Sequence, residues 1–191
     1  STECEHVLAT QALAQEKPKI MRVSFEGRLP DGASPKDMIL RLIGEIGAQA
    51  GVGHAVEFAG STIRETPVEG RLTICNMAIE FSAKYGLIAP DDVTFEYLKG
   101  RERAPKGAAW DAAVAYWRTL PTDAGATFDR EVTIDVSSLA PQLTWGTSPQ
   151  HAIAVDAPIP DPASAGDAAA RASIERALAY MDLAPGKRLT D

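Results

Sequence analysis

Asn76 and Glu80 stand four residues apart in the stretch RLTICNMAIEF, residues 71–81. The first is an amide that both donates and accepts hydrogen bonds, and the second is a carboxylate that accepts them and can take a proton. Such a pair can orient a polar ligand and move a proton at it. Their neighbours are mostly apolar: Leu72, Ile74, Cys75, Met77, Ala78, Ile79 and Phe81. A spacing of four puts both on one face of a helix. A helix over about 69–84 would gather Glu69, Thr73, Asn76, Glu80 and Lys84 into a wedge of roughly a quarter of the circumference. So narrow a polar stripe predicts largely buried surroundings with one opening, to water, to another domain or to a reaction cleft. Glu80 and Lys84 also have the order of a surface ion pair, worth about 0.2–0.5 kcal/mol. On helix physics alone the structural and the chemical readings stand side by side.

Other familiar constellations are missing. The sequence holds no G-x-S-x-G, no G-x-x-x-x-G-K-[ST], no H-E-x-x-H and no dinucleotide-binding fingerprint. His6, His54 and His151 are scattered and read as hydrogen-bonding or surface histidines. Gly51-Val52-Gly53 reads as a plain turn rather than an anion cradle. The two cysteines, Cys4 and Cys75, lie far apart without a C-x-x-C and read as buried thiols. Two thiolates fall short of the three or four that hold an iron-sulfur cluster, so neither a cofactor ligand nor a metal ligand is expected within the chain.

The elements that would position Asn76 and Glu80 follow an α/β pattern. A first helix, capped by Ser1 or Thr2, runs to about Gln15. Residues 20–29 alternate Met21, Val23 and Phe25 against Arg22, Ser24 and Glu26, as a half-buried strand does. Ser34 reads as an N-cap with Pro35 at the first helical position, and that helix runs to about Gln49. His54 to Ala59 reads as a second strand, followed by the helix carrying Asn76 and Glu80. Gly86 to Ala89 is a brief apolar run. Asp91 or Asp92 caps a helix with Phe95, Tyr97 and Leu98, and another helix spans about 109–120. Residues 131–136 form a further strand, and loop chemistry follows. Strand and helix in alternation argue for α/β layers. Residues 1–156 are expected to form the α/β domain, and residues 157–191 a proline-rich linker with a last helix at about 168–181, whose stripe is Ile174, Leu178 and Met181.

Composition removes several function classes. The net charge is -7 and no run of five basic residues occurs, which argues against nucleic acid and anionic membrane as partners. No apolar stretch reaches the roughly 18–20 residues that cross a bilayer. The first residues lack the basic and apolar regions of a signal peptide, and the cytoplasm is the expected location. The chain opens on Ser1 directly into a helical pattern, which reads as a piece of something longer.

Six segments carry a resemblance: EHVLATQ (5–11), VGHAVEFAG (52–60), GRLTICNMAIEFSAKYGLIAPDDVTFEYLKGR (70–101), AVAYWRTL (113–120), GATFD (125–129) and PQLTWGTSPQ (141–150). They resemble the aconitase family, and within it the large subunits of bacterial isopropylmalate dehydratases. The C-N-M-x-x-E block at 75–80 is the most specific of them.

The resemblance implies a layered αβα domain of the aconitase type, part of a larger multidomain subunit. It implies a hydro-lyase of leucine biosynthesis that converts 2-isopropylmalate to 3-isopropylmalate by loss and return of water, as a heterodimer with a separate small subunit. Family members use a 4Fe-4S cluster held by three cysteines. The Cys-Thr-Asn-Ser and C-x-x-C segments that supply them do not occur between Ser1 and Asp191. By the same resemblance, Asn76 would orient substrate or an iron-bound oxygen, and Glu80 would hydrogen-bond the iron-bound water or hydroxyl. The expected partners are the remaining domains of the large subunit, the small subunit and a hydroxy-dicarboxylate substrate. The chain alone is expected to be inactive. A stand-alone binding module that kept the fold without the chemistry is the alternative, and the flanking reading frame separates the two.

Overall fold

A computed structural model describes residues 2–188; the expected cap at Ser1 lies outside them. In chain order the elements are α1 (Thr2–Thr10), β1 (Lys19–Glu26), α2 (Pro35–Ile46), β2 (His54–Ala59), α3 (Ser61–Glu65) and α4 (Val68–Asn76). A 3-10 helix follows at Met77–Phe81, then β3 (Tyr85–Leu87), α5 (Asp92–Leu98), α6 (Ala108–Trp117), β4 (Arg130–Asp135) and β5 (Gln142–Thr144). The chain finishes with 3-10 turns at Pro149–His151 and Pro162–Ser164, β6 (Ala152–Ala154) between them, and α7 (Ala168–Met181).

The fold is α/β. Strands β3, β2, β1 and β4 form a parallel sheet in that order, with Met21 opposite both Val56 and Arg130. The alternation in β1 sorts its two faces. Met21, Val23 and Phe25 are fully buried and share one core with Val56, Phe58 and Ile134 from neighbouring strands, Met38, Ile39, Leu42 and Ile43 from α2, and Ile74 from α4. Burying side chains of this size contributes about 1.5–3 kcal/mol each. The opposite face carries Arg22, Ser24, Glu26, Glu57, Glu131, Thr133 and Asp135, all partly or fully exposed. Phe128, from the segment leading into β4, crosses it with the Arg22 guanidinium 5.3 Å from its ring centre.

Helix α2 starts as its sequence dictates. Asp37 accepts hydrogen bonds from the Ser34 amide at 2.7 Å and the Ser34 hydroxyl at 2.6 Å, with Pro35 in the first turn. Its second carboxylate oxygen accepts from the Gln142 amide at 2.7 Å. Asp37 thus fastens the β5–β6 pair to the start of α2. Asp37→Asn is expected to lower stability by about 1–2 kcal/mol, read from urea titrations followed by far-ultraviolet circular dichroism.

Glycine is compulsory at the end of β2. Gly60 ends β2 with φ of 106°, and a Cβ there would lie 2.1 Å from the Phe25 carbonyl oxygen. The chain therefore turns from β2 into α3 directly against β1.

Several expectations about elements need correction. Helix α1 stops at Thr10 rather than Gln15, because Gln11 takes a left-handed conformation with φ of 53°. The region read as loop after β4 contains the β5–β6 hairpin, whose three-residue strands are too short to show a period. In α7 the buried residues are Ala177 and Leu178, with Ile174 packed beside them, while Met181 is 40% exposed. That helix packs on Trp145, Ile153 and Ile159 in a second, smaller core.

Candidate functional site

The helix expected over 69–84 is two pieces. Helix α4 ends at Asn76, the chain tightens into the 3-10 helix Met77–Phe81, and Ser82 ends it in the left-handed region with φ of 67°. Tertiary bonds hold this bend. The Gly51 amide donates to the Phe81 carbonyl at 2.9 Å, and the Ser82 hydroxyl donates to the Ala48 carbonyl at 2.8 Å. Gly51 is thereby committed to a turn, not to an anion.

The bend overturns the single helical face. A 3-10 helix advances about 120° per residue instead of 100°, so Glu80 turns away from the line through Asn76. The narrow polar wedge also fails, since Leu72 and Ile79 are 52% and 67% exposed. Arg71, Ile74, Ala78 and Phe81 face the core, and Leu72, Asn76, Ile79 and Glu80 face outward. The Glu80–Lys84 ion pair is not formed. Lys84 lies beyond the Ser82 break, and its ammonium donates to the Glu16 carbonyl at 3.2 Å.

Glu80 borders a cavity of about 600 Å³. One wall is the start of α2, with Ser34, Lys36, Asp37 and Leu40; the other is the β5 strand and the turn after it, including Thr144, Gly146, Thr147 and Ser148. Asn76 is exposed one turn away, at the end of α4, and does not border this cavity. Among the described residues neither Asn76 nor Glu80 has a hydrogen-bond or ion-pair partner. Sequence reasoning missed Lys36 and the Thr144–Ser148 wall. The S-P-K-D run read only as a helix cap, and nothing local ties residue 36 to residue 144.

The second wall has its own brace. His151 is 9% exposed and stacks on Trp145 with ring centres 4.2 Å apart. Its Nδ1 is buried without a partner, and burial pushes its pKa down. A Cβ on Gly146 would come within 2.2 Å of that nitrogen, so only glycine admits the ring. This corrects the reading of His151 as a surface or hydrogen-bonded histidine. His54, by contrast, bonds the Val52 carbonyl through Nδ1 at 2.8 Å, and His6 is exposed.

Beneath α4, Arg71 is 4% exposed and ties three segments together. Its two Nη atoms donate to the two oxygens of Asp91 at 2.7 and 2.8 Å, and its Nε donates to the Thr66 carbonyl at 2.8 Å. Asp91 in turn caps α5 by accepting from the Thr94 amide. Burial pushes the Asp91 pKa up, but the bonds from Arg71 and Thr94 outweigh it and leave it below its usual value. The end of α4 therefore projects from a braced base.

A second cavity, of about 390 Å³, lies at the carboxyl ends of β2 and β3. Its charges are mixed: Arg22 and Arg64 face Glu57, Asp91 and Asp123.

The sequence matches the aconitase family (aconitate hydratase) over residues 1–191. The chain belongs to the aconitase family. It is 58% identical over 186 residues to the 3-isopropylmalate dehydratase large subunit 1 of Bradyrhizobium diazoefficiens, covering 97% of this chain and 39% of that protein. The chain thus spans well under half the length of this aconitase-family relative.

Aconitase-family membership raises the question of a cluster, and the residues described here do not fit one. Among them no group of three or more histidine, cysteine, aspartate or glutamate side chains is placed to hold a metal ion. Cys4 is exposed on α1, and Cys75 sits against the main core with its thiol pKa raised by burial. No helix among the described residues is long and apolar enough to cross a membrane.

Proposed function

We propose that this chain builds one wall of the reaction cleft of an isopropylmalate dehydratase large subunit. The reaction is the conversion of 2-isopropylmalate to 3-isopropylmalate through loss and return of water, a step of leucine biosynthesis. The observation that carries this reading is Glu80, a carboxylate without a partner among the described residues at the edge of an open cavity of about 600 Å³, inside the block that most specifically resembles the family.

Glu80 accepts a hydrogen bond from a hydroxyl or water at the reacting carbon and takes or returns its proton, a role worth about a hundredfold or more in rate. Asn76, one turn away on the exposed face outside the cavity lining and without a side-chain partner among the described residues, orients a substrate oxygen from there. Cys75 is a packing group beneath them. The 4Fe-4S cluster of the whole enzyme supplies the Lewis acid and is held by residues other than those described here. The remaining domains of the large subunit and a separate small subunit complete the cleft, and the subunit works in the cytoplasm. The organisation into an α/β domain at 1–156 and a linker with a terminal helix at 157–191 belongs to the same reading.

The test compares the 191-residue chain alone with the full large subunit plus small subunit. The isolated chain is expected to show a folded circular-dichroism spectrum, no bound iron or sulfide after reconstitution, and no turnover of 2-isopropylmalate. Turnover by the isolated chain would overturn the reading of it as one wall of a shared cleft.

A further inference from the structure

The cavity beside Glu80 holds three charged side chains: Lys36, Asp37 and Glu80. Asp37 is fully engaged by the Ser34 amide, the Ser34 hydroxyl and the Gln142 amide. Glu80 and Lys36 remain free, and no ion pair joins them among the described residues. Lys36 is thus the one cation lining the cavity among the described residues, on the wall formed by α2, while Glu80 comes from the segment after α4.

Lys36 contributes nothing evident to the helix that carries it. It lies in the first turn of α2, where the helix dipole disfavours a cation. Ser34, Pro35 and Asp37 already supply the cap. Its exposed ammonium shares the cavity with the hydroxyls of Thr144, Thr147 and Ser148, each able to donate, the Ser148 oxygen also accepting from the Gln150 amide. This is a surface for a carboxylate: a compact positive charge with three hydrogens, flanked by neutral donors.

We infer that Lys36 receives one carboxylate of the hydroxy-dicarboxylate substrate and so sets the end of the molecule that is presented to Glu80. The inference rests on the reading of Glu80 as a substrate-facing group. A dianion entering a chain of net charge -7 beside an acidic side chain meets repulsion. A lysine in the same cavity but on a different element offsets that repulsion and breaks the near symmetry of a molecule with a carboxylate at each end. Lys36 is a binding residue; the proton transfer stays with Glu80.

The test uses the full large subunit, assembled with its small subunit and loaded with its cluster, carrying Lys36→Met, Lys36→Arg or Glu80→Gln. Steady-state kinetics with 2-isopropylmalate are run alongside calorimetric titration of each protein with succinate, a dicarboxylate without the hydroxyl. Lys36→Met is expected to raise KM and weaken succinate binding by roughly ten- to a hundredfold, with kcat within about threefold. Lys36→Arg is expected to recover most of the loss. Because Lys36 is exposed, all three proteins are expected to keep the wild-type melting temperature within about 2 °C. Unchanged KM and succinate affinity in Lys36→Met would overturn the inference, as would a fall in kcat alone. If Glu80→Gln loses turnover while Lys36→Met binds normally, only the lysine inference fails. If Glu80→Gln retains full turnover, the cavity is not the reaction site and both fall together.

Discussion

On the role proposed for Glu80, Glu80→Gln in the full large subunit assembled with its small subunit is expected to lower kcat by about 10²–10⁴-fold while leaving the fold intact. Glutamine keeps the length of the side chain and one oxygen acceptor, but it cannot take a proton and carries no charge. The loss should therefore appear in kcat and kcat/KM together, the signature of an interaction made in the transition state. Stability should move by no more than about 0.5 kcal/mol, because Glu80 is exposed and has no partner to lose among the described residues. Steady-state kinetics and a denaturant titration on the same preparation decide the matter. A parallel fall in stability and turnover would make Glu80 a structural residue of the 3-10 segment.

The opposite pattern is expected at Arg71. Arg71→Met preserves much of the side-chain volume but removes the guanidinium donors to Asp91 and to the Thr66 and Arg64 carbonyls, leaving Asp91 only its bonds at the start of α5. Breaking a buried pair costs about 3–5 kcal/mol; since the Asp91 side chain is 35% exposed and regains some water, a value near 3 kcal/mol is expected. The pH dependence has a definite sign. The Asp91 pKa is depressed in the folded state, so its contribution is fully present above the unfolded value of about 3.9 and is lost as pH falls through the folded value. The gap between wild type and Arg71→Met should accordingly be wide at pH 6 and narrower at pH 3, as measured by urea titration at each pH. An equal gap at both would mean that Asp91 is not coupled to Arg71.

The parts of the fold that could be read in the sequence are those whose signals are local. The alternation of Met21, Val23 and Phe25 marks β1, the S-P-K-D run marks the start of α2, His54–Ala59 is a strand in both sequence and structure, and of the two caps the sequence offers for α5, Asp91 and Asp92, the structure uses Asp91. The bend after Asn76 was not legible, because Gly51 and Ala48, distant in sequence, impose it. A helical wheel continued through residue 80 describes a buried helix with a polar slot, where the chain has an outward face with two exposed aliphatic residues, Leu72 and Ile79. The same limit hid the cavity. Glu80 was visible as a chemical group, but its neighbours Lys36 and Thr144 reach it only through the tie between Asp37 and Gln142. Trp145 and His151 form their stack across a hairpin too short to have a period.

The sheet order also governs how the chain folds as it is made. Strand β1 is central, yet one of its neighbours, β4, comes 109 residues later in the Met21–Arg130 register. During synthesis at about 5–20 residues per second, β1 and β2 wait roughly 4–15 s between the end of β2 and the end of β4 with one backbone edge unpaired. Pairing across that separation is slow even once the strand has emerged. An unpaired edge next to fully buried Met21, Val23 and Phe25 is a template for wrong pairing. A nascent chain halted before residue 130 should therefore be the form that aggregates and recruits chaperones.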